Sequence, residues 1–241
     1  MKENWERLRE RVGRAASRAG RPVDEIRIMA VTKTHPVQVV RAAVGAGIRL
    51  LGENRVQEAE SKFVRCVDTA QAAPNVEDRV GLWGQVSLHL IGHLQSNKTR
   101  RAVALFDAVQ SLDKLATAER LARHAEEAAR SLDVMLEVNT SGEPTKFGYE
   151  DEGRLMEDMA RIAELGPLRV RGLMTIGPFT ADETRVRKAF ARLRALLERA
   201  RKQVPDMREL SMGMSSDFET AVEEGATMIR VGTVLFGERP R

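Results

Sequence analysis

Cysteine is almost missing: Cys66 is the only one in 241 residues. A single thiol excludes an internal disulfide, a cysteine-rich zinc site and a CxxC redox pair. Cys66 lies in an amphipathic helical stretch without a nearby histidine, where it reads as a small apolar filler. Aromatic residues are scarce too, at 4% of the chain, so there is no stacking platform for bases. The net charge of +4 arises from arginines scattered among acidic residues, not from a basic block. Nucleic acid is therefore not an expected partner. No run of about 18 apolar residues occurs, and Met1 to Arg21 is charged throughout, without the apolar core of a signal peptide. A soluble, cytoplasmic protein is expected. No composition shift, Pro/Gly-rich linker or low-complexity tract divides the chain, so residues 1–241 are expected to form one domain.

What is present is a regular alternation. Eight short β-rich runs occur at Glu25 to Val31, Ile48 to Leu51, Leu88 to Ile91, Ala108 to Gln110, Val134 to Val138, Val170 to Ile176, Glu209 to Met212 and Met228 to Val231. Between them Val37 to Ala46, Val56 to Ala72, Lys98 to Leu105, Lys114 to Ala129, Glu150 to Glu164, Thr184 to Gln203 and Phe218 to Glu224 carry apolar residues three and four apart, the helical period. Strands that alternate with helices predict right-handed crossovers and a parallel sheet. Eight such units in this length fit a closed (β/α)8 barrel of the TIM type better than an open doubly wound sheet. A further helix, Trp5 to Ala19, precedes the first strand and should cover the bottom or side of the barrel; Asn75 to Gly84 reads as a surface loop.

In such barrels the loops at the C-terminal strand ends build the site. The first is AVTKTHP, Ala30 to Pro36. Lys33 directly follows an apolar strand there, so its amine either snorkels to water or, partly buried, loses enough pKa to attack an aldehyde. LGENRVQE ends the second strand, and Asn54 serves equally as a helix cap or as a ligand-orienting amide. HLIGHLQSNK ends the third strand; His89 and His93 straddle that strand end, without the helical register or carboxylate partners that a zinc site would use. EVNTSGEPTKFGY, after the fifth, is long and polar enough for a lid or a ligand contact.

The C-terminal segment ELSMGMSSDFETAVEEGATMIRVGTVLFG carries the most information. The loops after strands seven and eight are the usual phosphate site of this architecture, and Ser215, Gly232 and Thr233 offer hydroxyls and amides there. Ser215, Ser216 and Asp217 also read as an ordinary helix-capping cluster. Arg230 sits inside an apolar strand, where a guanidinium needs a partner: a ligand nitrogen or a carboxylate would serve.

These motifs, AVTKTHP, GENRVQE, HLIGHLQSNK, GEPTKFG, RGLMTIGP and LSMGMSSDFETAVEEGATMIRVGTVLFG, occur in an order that resembles the pyridoxal phosphate homeostasis protein family, also described as proline synthetase co-transcribed homologues, over nearly the whole chain. The resemblance implies the barrel fold of the alanine racemase N-terminal domain. It also implies pyridoxal 5'-phosphate (PLP) as cofactor, held as an internal aldimine on Lys33. Arg230 is then the partner of the pyridine nitrogen, Ser215, Gly232 and Thr233 are the phosphate contacts, and Asn54 and Ser211 complete the expected cofactor site. Racemases take a second base, a tyrosine, from another domain; here no residue follows Arg241 in the sequence, and the sole tyrosine, Tyr149, has no motif support for that role. The family reading is thus a non-catalytic PLP carrier, expected to be a monomer, with apo-PLP enzymes as possible recipients. The alternatives are a weak one-base amino-acid racemase and a class I aldolase-like barrel in which Lys33 attacks a substrate carbonyl.

Overall fold

The structure, a computed structural model, describes residues 1–63 and 83–237. Cys66, the second half of the helix expected from Val56 to Ala72 and most of the Asn75 to Gly84 loop lie outside the described residues. Eight strands form a closed barrel in chain order: β1 (Arg27–Val31), β2 (Leu50–Glu53), β3 (Ser87–Leu90), β4 (Ala108–Leu112), β5 (Leu132–Glu137), β6 (Leu168–Met174), β7 (Glu209–Ser211) and β8 (Met228–Val231). Each pairs in parallel with the next, and β8 closes on β1 through the register Arg27↔Met228 to Ala30↔Val231. The (β/α)8 expectation is met.

Helices α1 (Lys2–Arg18), α2 (Val37–Gly45), α3 (Val56–Phe63), α4 (Thr99–Leu105), α5 (Leu115–Glu127), α6 (Glu152–Ala163), α7 (Glu183–Ala200), α8 (Phe218–Glu223) and α9 (Thr233–Phe236) surround it. Their apolar stripes face the strands. On α7, Val186, Ala189, Phe190, Leu193, Leu196, Leu197 and Ala200 are buried, at the three-and-four spacing of one helical face. Asp182 starts that helix by accepting from the amides of Thr184 (3.0 Å) and Arg185 (3.2 Å), a cap of about 1 kcal/mol. The N-terminal helix covers the side of the barrel, not its bottom. It packs on α8 and α9, buries Leu8, Val12, Ala15 and Ala16, and pairs Arg11 with Glu219 and Arg18 with Glu223 at 2.8 Å.

Strand boundaries differ from expectation where polar residues were read as loop. β2 runs on through Gly52 and Glu53, and β4 through Ser111 and Leu112. β1 starts late because Val23–Glu25, following Pro22, make a 3-10 turn. Inside the barrel a second core, separate from the strand–helix layer, gathers Met29, Val31, Ile91, Met135, Met174 and Met228. Four methionines among six residues suit a taper that pliable, unbranched side chains fill well. Gly52 makes room for one of them: a Cβ there would lie 2.6 Å from the Met29 sulfur.

Candidate functional site

A polar rod crosses this methionine-lined interior and ends at the barrel mouth. Ser87 Oγ lies 3.0 Å from His89 Nε2, and Gln110 Nε2 donates to His89 Nδ1 at 2.8 Å. Ser211 Oγ donates to Gln110 Oε1 at 2.6 Å and accepts from Arg230 Nη1 at 2.7 Å. Only the neutral imidazole with its proton on Nε2 fits that order of donors. Burial agrees, since it pulls the His89 pKa down to about 4, the Arg27 charge adding to the effect. The other arm of Arg230, Nη2, donates to the Thr175 carbonyl at 2.7 Å.

Arg230 is thereby aimed rather than merely tolerated. It is 4% exposed, and burial lowers its pKa to about 10, opposed by the charges of Glu137 and Asp217. Glu137, the last residue of β5, answers it: burial pushes this carboxyl up to about 7, and Arg230 pulls it back only partly.

Above Arg230 lies a cavity of about 460 Å³, within the size range of small-ligand sites. Lys33, Ser215, Arg230, Gly232 and Thr233 all line it, with His35 and Met214 among their neighbours. Lys33 comes from the end of β1, and the others from the ends of β7 and β8. Pairing of β1 with β8 brings these distant stretches together. Ser215 Oγ accepts from the amides of Gly232 (3.2 Å) and Val234 (3.4 Å), so its own proton remains to donate to an anion. The loop that carries it turns at Gly213, whose φ of +92° and closeness to Ala221 exclude a side chain. Asp217 braces the same loop by accepting from the Met214 amide at 2.6 Å. The capping reading of Asp217 is corrected here: it occupies the N-cap position of α8, but its side chain bonds the loop behind it instead of the helix amides.

Two expected site residues stand off the cavity wall. Ser211 is fully buried beneath Arg230 and reaches the cavity only through it. Asn54 is half-buried at the end of β2, where its backbone presses on Gly92 closely enough to forbid a side chain there. Asn139 of the β5 loop turns inward on its own segment, bonding the Glu143 carbonyl at 2.9 Å, and Lys146 ties that loop to the Gly177 carbonyl at 2.8 Å. Tyr149 is buried, with its hydroxyl donating to Asp158 at 3.0 Å, and burial beside that carboxylate raises its pKa. Glu137, Gln110 and His89 did not figure in the expected site. Their signal was polarity inside strands, which alternates onto the barrel interior.

A (β/α)8 barrel with a lysine in the loop after β1 and hydroxyl and amide donors after β7 and β8 defines a class, and the family described as "Alanine racemase, N-terminal domain" matches residues 1–240. Within it, a protein of Pseudomonas aeruginosa named "Pyridoxal phosphate homeostasis protein" is 40% identical over 241 residues, covering 98% of this chain and 95% of the relative. One of the same name from Aquifex aeolicus is 37% identical, covering 98% and 97%. The chain belongs to the pyridoxal phosphate homeostasis protein family. The solved structure of PipY from Synechococcus elongatus with PLP bound is 39% identical, with a TM-score of 0.76 over 94% of this chain and 100% of that one. An alanine racemase of Clostridium difficile, 15% identical, shares the fold at a TM-score of 0.69, with 53% of its length covered.

Proposed function

We propose that this chain binds pyridoxal 5'-phosphate on Lys33 and serves intracellular homeostasis of that cofactor, without turning over amino acids at an appreciable rate. One observation carries the reading: Lys33, Ser215, Arg230, Gly232 and Thr233 share one cavity at the mouth of the barrel. The donor set fits the ligand. When bound, the cofactor supplies an aldehyde for an amine, a phosphate for the loop donors and a ring nitrogen. Lys33 provides the amine, and Ser215 with the Gly232 and Thr233 segment receives the phosphate. Arg230, held by Ser211 and Thr175, presents a donor to a nitrogen that carries no proton. An arginine in that place leaves the ring a weak electron sink compared with a carboxylate partner.

The position of Tyr149 supports holding over turnover. Its phenol is engaged by Asp158 and has a raised pKa, so the sole tyrosine is a poor second base. The chain would act as a cytoplasmic monomer that yields its cofactor to apo-enzymes. Among the described residues no helix is long and apolar enough to cross a membrane.

Borohydride treatment of protein loaded with the cofactor should fix an equimolar pyridoxyl group on Lys33, located by peptide mass spectrometry, and Lys33→Ala should lose it. A Lys33→Ala protein labelled at wild-type yield would overturn the assignment. Release of α-deuterium from an amino acid into solvent at turnover rates would overturn the non-catalytic part.

A further inference from the structure

Lys33 occupies a turn whose shape its own sequence does not favour. The Thr32 carbonyl accepts from the His35 amide at 3.2 Å, which places Lys33 and Thr34 at the centre of a four-residue turn. Thr34 there has φ +65°. Glycine or asparagine normally fills the third position of such a turn, and a β-branched residue with positive φ is a real outlier. Something outside the turn must hold it.

That support comes from α3, the helix after β2. The peptide group after Lys33 donates its Thr34 N–H to the Glu58 carboxylate. The peptide group before Lys33 is held at its Thr32 carbonyl by the Lys62 ammonium, at 2.8 Å. Lys62 in turn bonds Glu58 at 2.6 Å and Glu53 at 3.0 Å, so the two holding side chains are themselves joined. Glu53, fully buried at the end of β2, also accepts from Thr32 Oγ at 2.7 Å. Burial pushes the Glu53 pKa up against Thr32 and Lys62, which favour its charge. Glu58 sits below its ordinary value because its bonds to Lys62 and the Thr34 amide outweigh its partial burial.

With one plane fixed on each side, both backbone angles at Lys33 are determined, and so is the direction in which its side chain leaves the backbone. None of the three charged groups lines the cavity itself. We propose that Glu58 and Lys62, seated on Glu53, are positioning residues for Lys33: they hold the Lys33–Thr34 turn in its left-handed form and so present the amine to the cavity. This rests on the proposed role of Lys33 in holding the cofactor, but it concerns a conformation that the chain has without it.

Two readouts separate those layers. In cofactor-free protein, the rate at which Lys33 is acylated by an amine-reactive reagent, measured against exposed lysines by mass spectrometry, reports the presentation of the amine directly. In loaded protein, titration of the visible band reports affinity for PLP. Glu58→Ala should alter the first markedly and weaken the second about tenfold, the population loss expected when a non-glycine residue is released from the left-handed region. Thermal stability should change little, because Glu58 is partly exposed and Lys62 keeps Glu53 and Thr32. Glu58→Ala combined with Thr34→Gly should return both readouts to within about twofold of wild type, since glycine adopts that φ unaided. A Glu58→Ala protein with unchanged acylation of Lys33 would overturn the inference, as would failure of Thr34→Gly to rescue. A wild-type chain that takes up no PLP would overturn the proposed function instead, and the acylation comparison would still decide the role of Glu58.

Discussion

Glu137 offers a test of the barrel's electrostatics in which pH reverses the benefit of one substitution. Its carboxyl is buried at the end of β5 with Arg230 as the nearest relief, and its pKa is pushed from the ordinary 4.5 to about 7. The folded chain therefore binds a proton that the unfolded chain releases. Folding is unpenalised at this site below pH 4.5 and loses stability as pH rises through 7. A shift of that size amounts to about 3 kcal/mol once both states are ionised, and to about 1 kcal/mol at pH 5. Glu137→Gln keeps the shape and removes the ionisation. Relative to wild type it should gain about 2 kcal/mol between pH 5 and pH 8, read from urea unfolding at both values. Equal free-energy differences at the two pH values would refute the reasoning and show that Arg230 keeps the carboxylate charged throughout. The same substitution removes the anion that offsets the burial of Arg230, so the arginine should then rely more heavily on Ser211 and Thr175.

Two further predictions concern the rod and the tyrosine. His89, lowered to about 4, stays neutral when folded while the unfolded chain protonates near 6.5, so stability should fall by about 3 kcal/mol as pH drops through that window. His89→Asn, which keeps an acceptor for Gln110, should flatten that part of the acid unfolding curve; an unchanged slope would place the acid sensitivity elsewhere. Tyr149→Phe should cost about 2 kcal/mol in urea unfolding, the worth of its bond to the buried Asp158 carboxylate, and should leave borohydride labelling of Lys33 intact. Loss of the label would show that the tyrosine reaches the cavity after all.

The barrel was legible because its signals are local and repeated. Each strand is a short apolar run and each helix, such as Glu183–Ala200, shows an apolar face at helical spacing. The cavity residues Lys33, Ser215, Arg230, Gly232 and Thr233 were legible because they stand at strand ends, where this architecture places ligands. Their supports were not. Glu53 looks like a loop acid until β2 is seen to carry it into a buried pair with Thr32 and Lys62. Gln110 looks like the end of a strand until Ser211, from the other end of the chain, meets it at 2.6 Å. The Glu53 partners are fixed by the pairing of β1 with β2 and the packing of the helix that follows, and the Gln110–Ser211 contact by the rounding of the sheet into a barrel, neither of which a local window contains. Ser211 stands behind the cavity wall, under Arg230, and Asn54, read from its place after the second strand, is not among the residues that line the cavity.

The pairing of β1 with β8 has a consequence in time as well as in space. Lys33 and the residues at 215 to 233 leave the ribosome far apart in time, and they become neighbours only when β8 slots in beside β1. A chain that lacks β8 has Lys33 but not the side of the cavity that Arg230, Gly232 and Thr233 build. Under the proposed function, a ligand that engages both sides of that junction would work as a clasp: it would close the loop from β1 to β8 and reward only chains whose barrel is correctly shut.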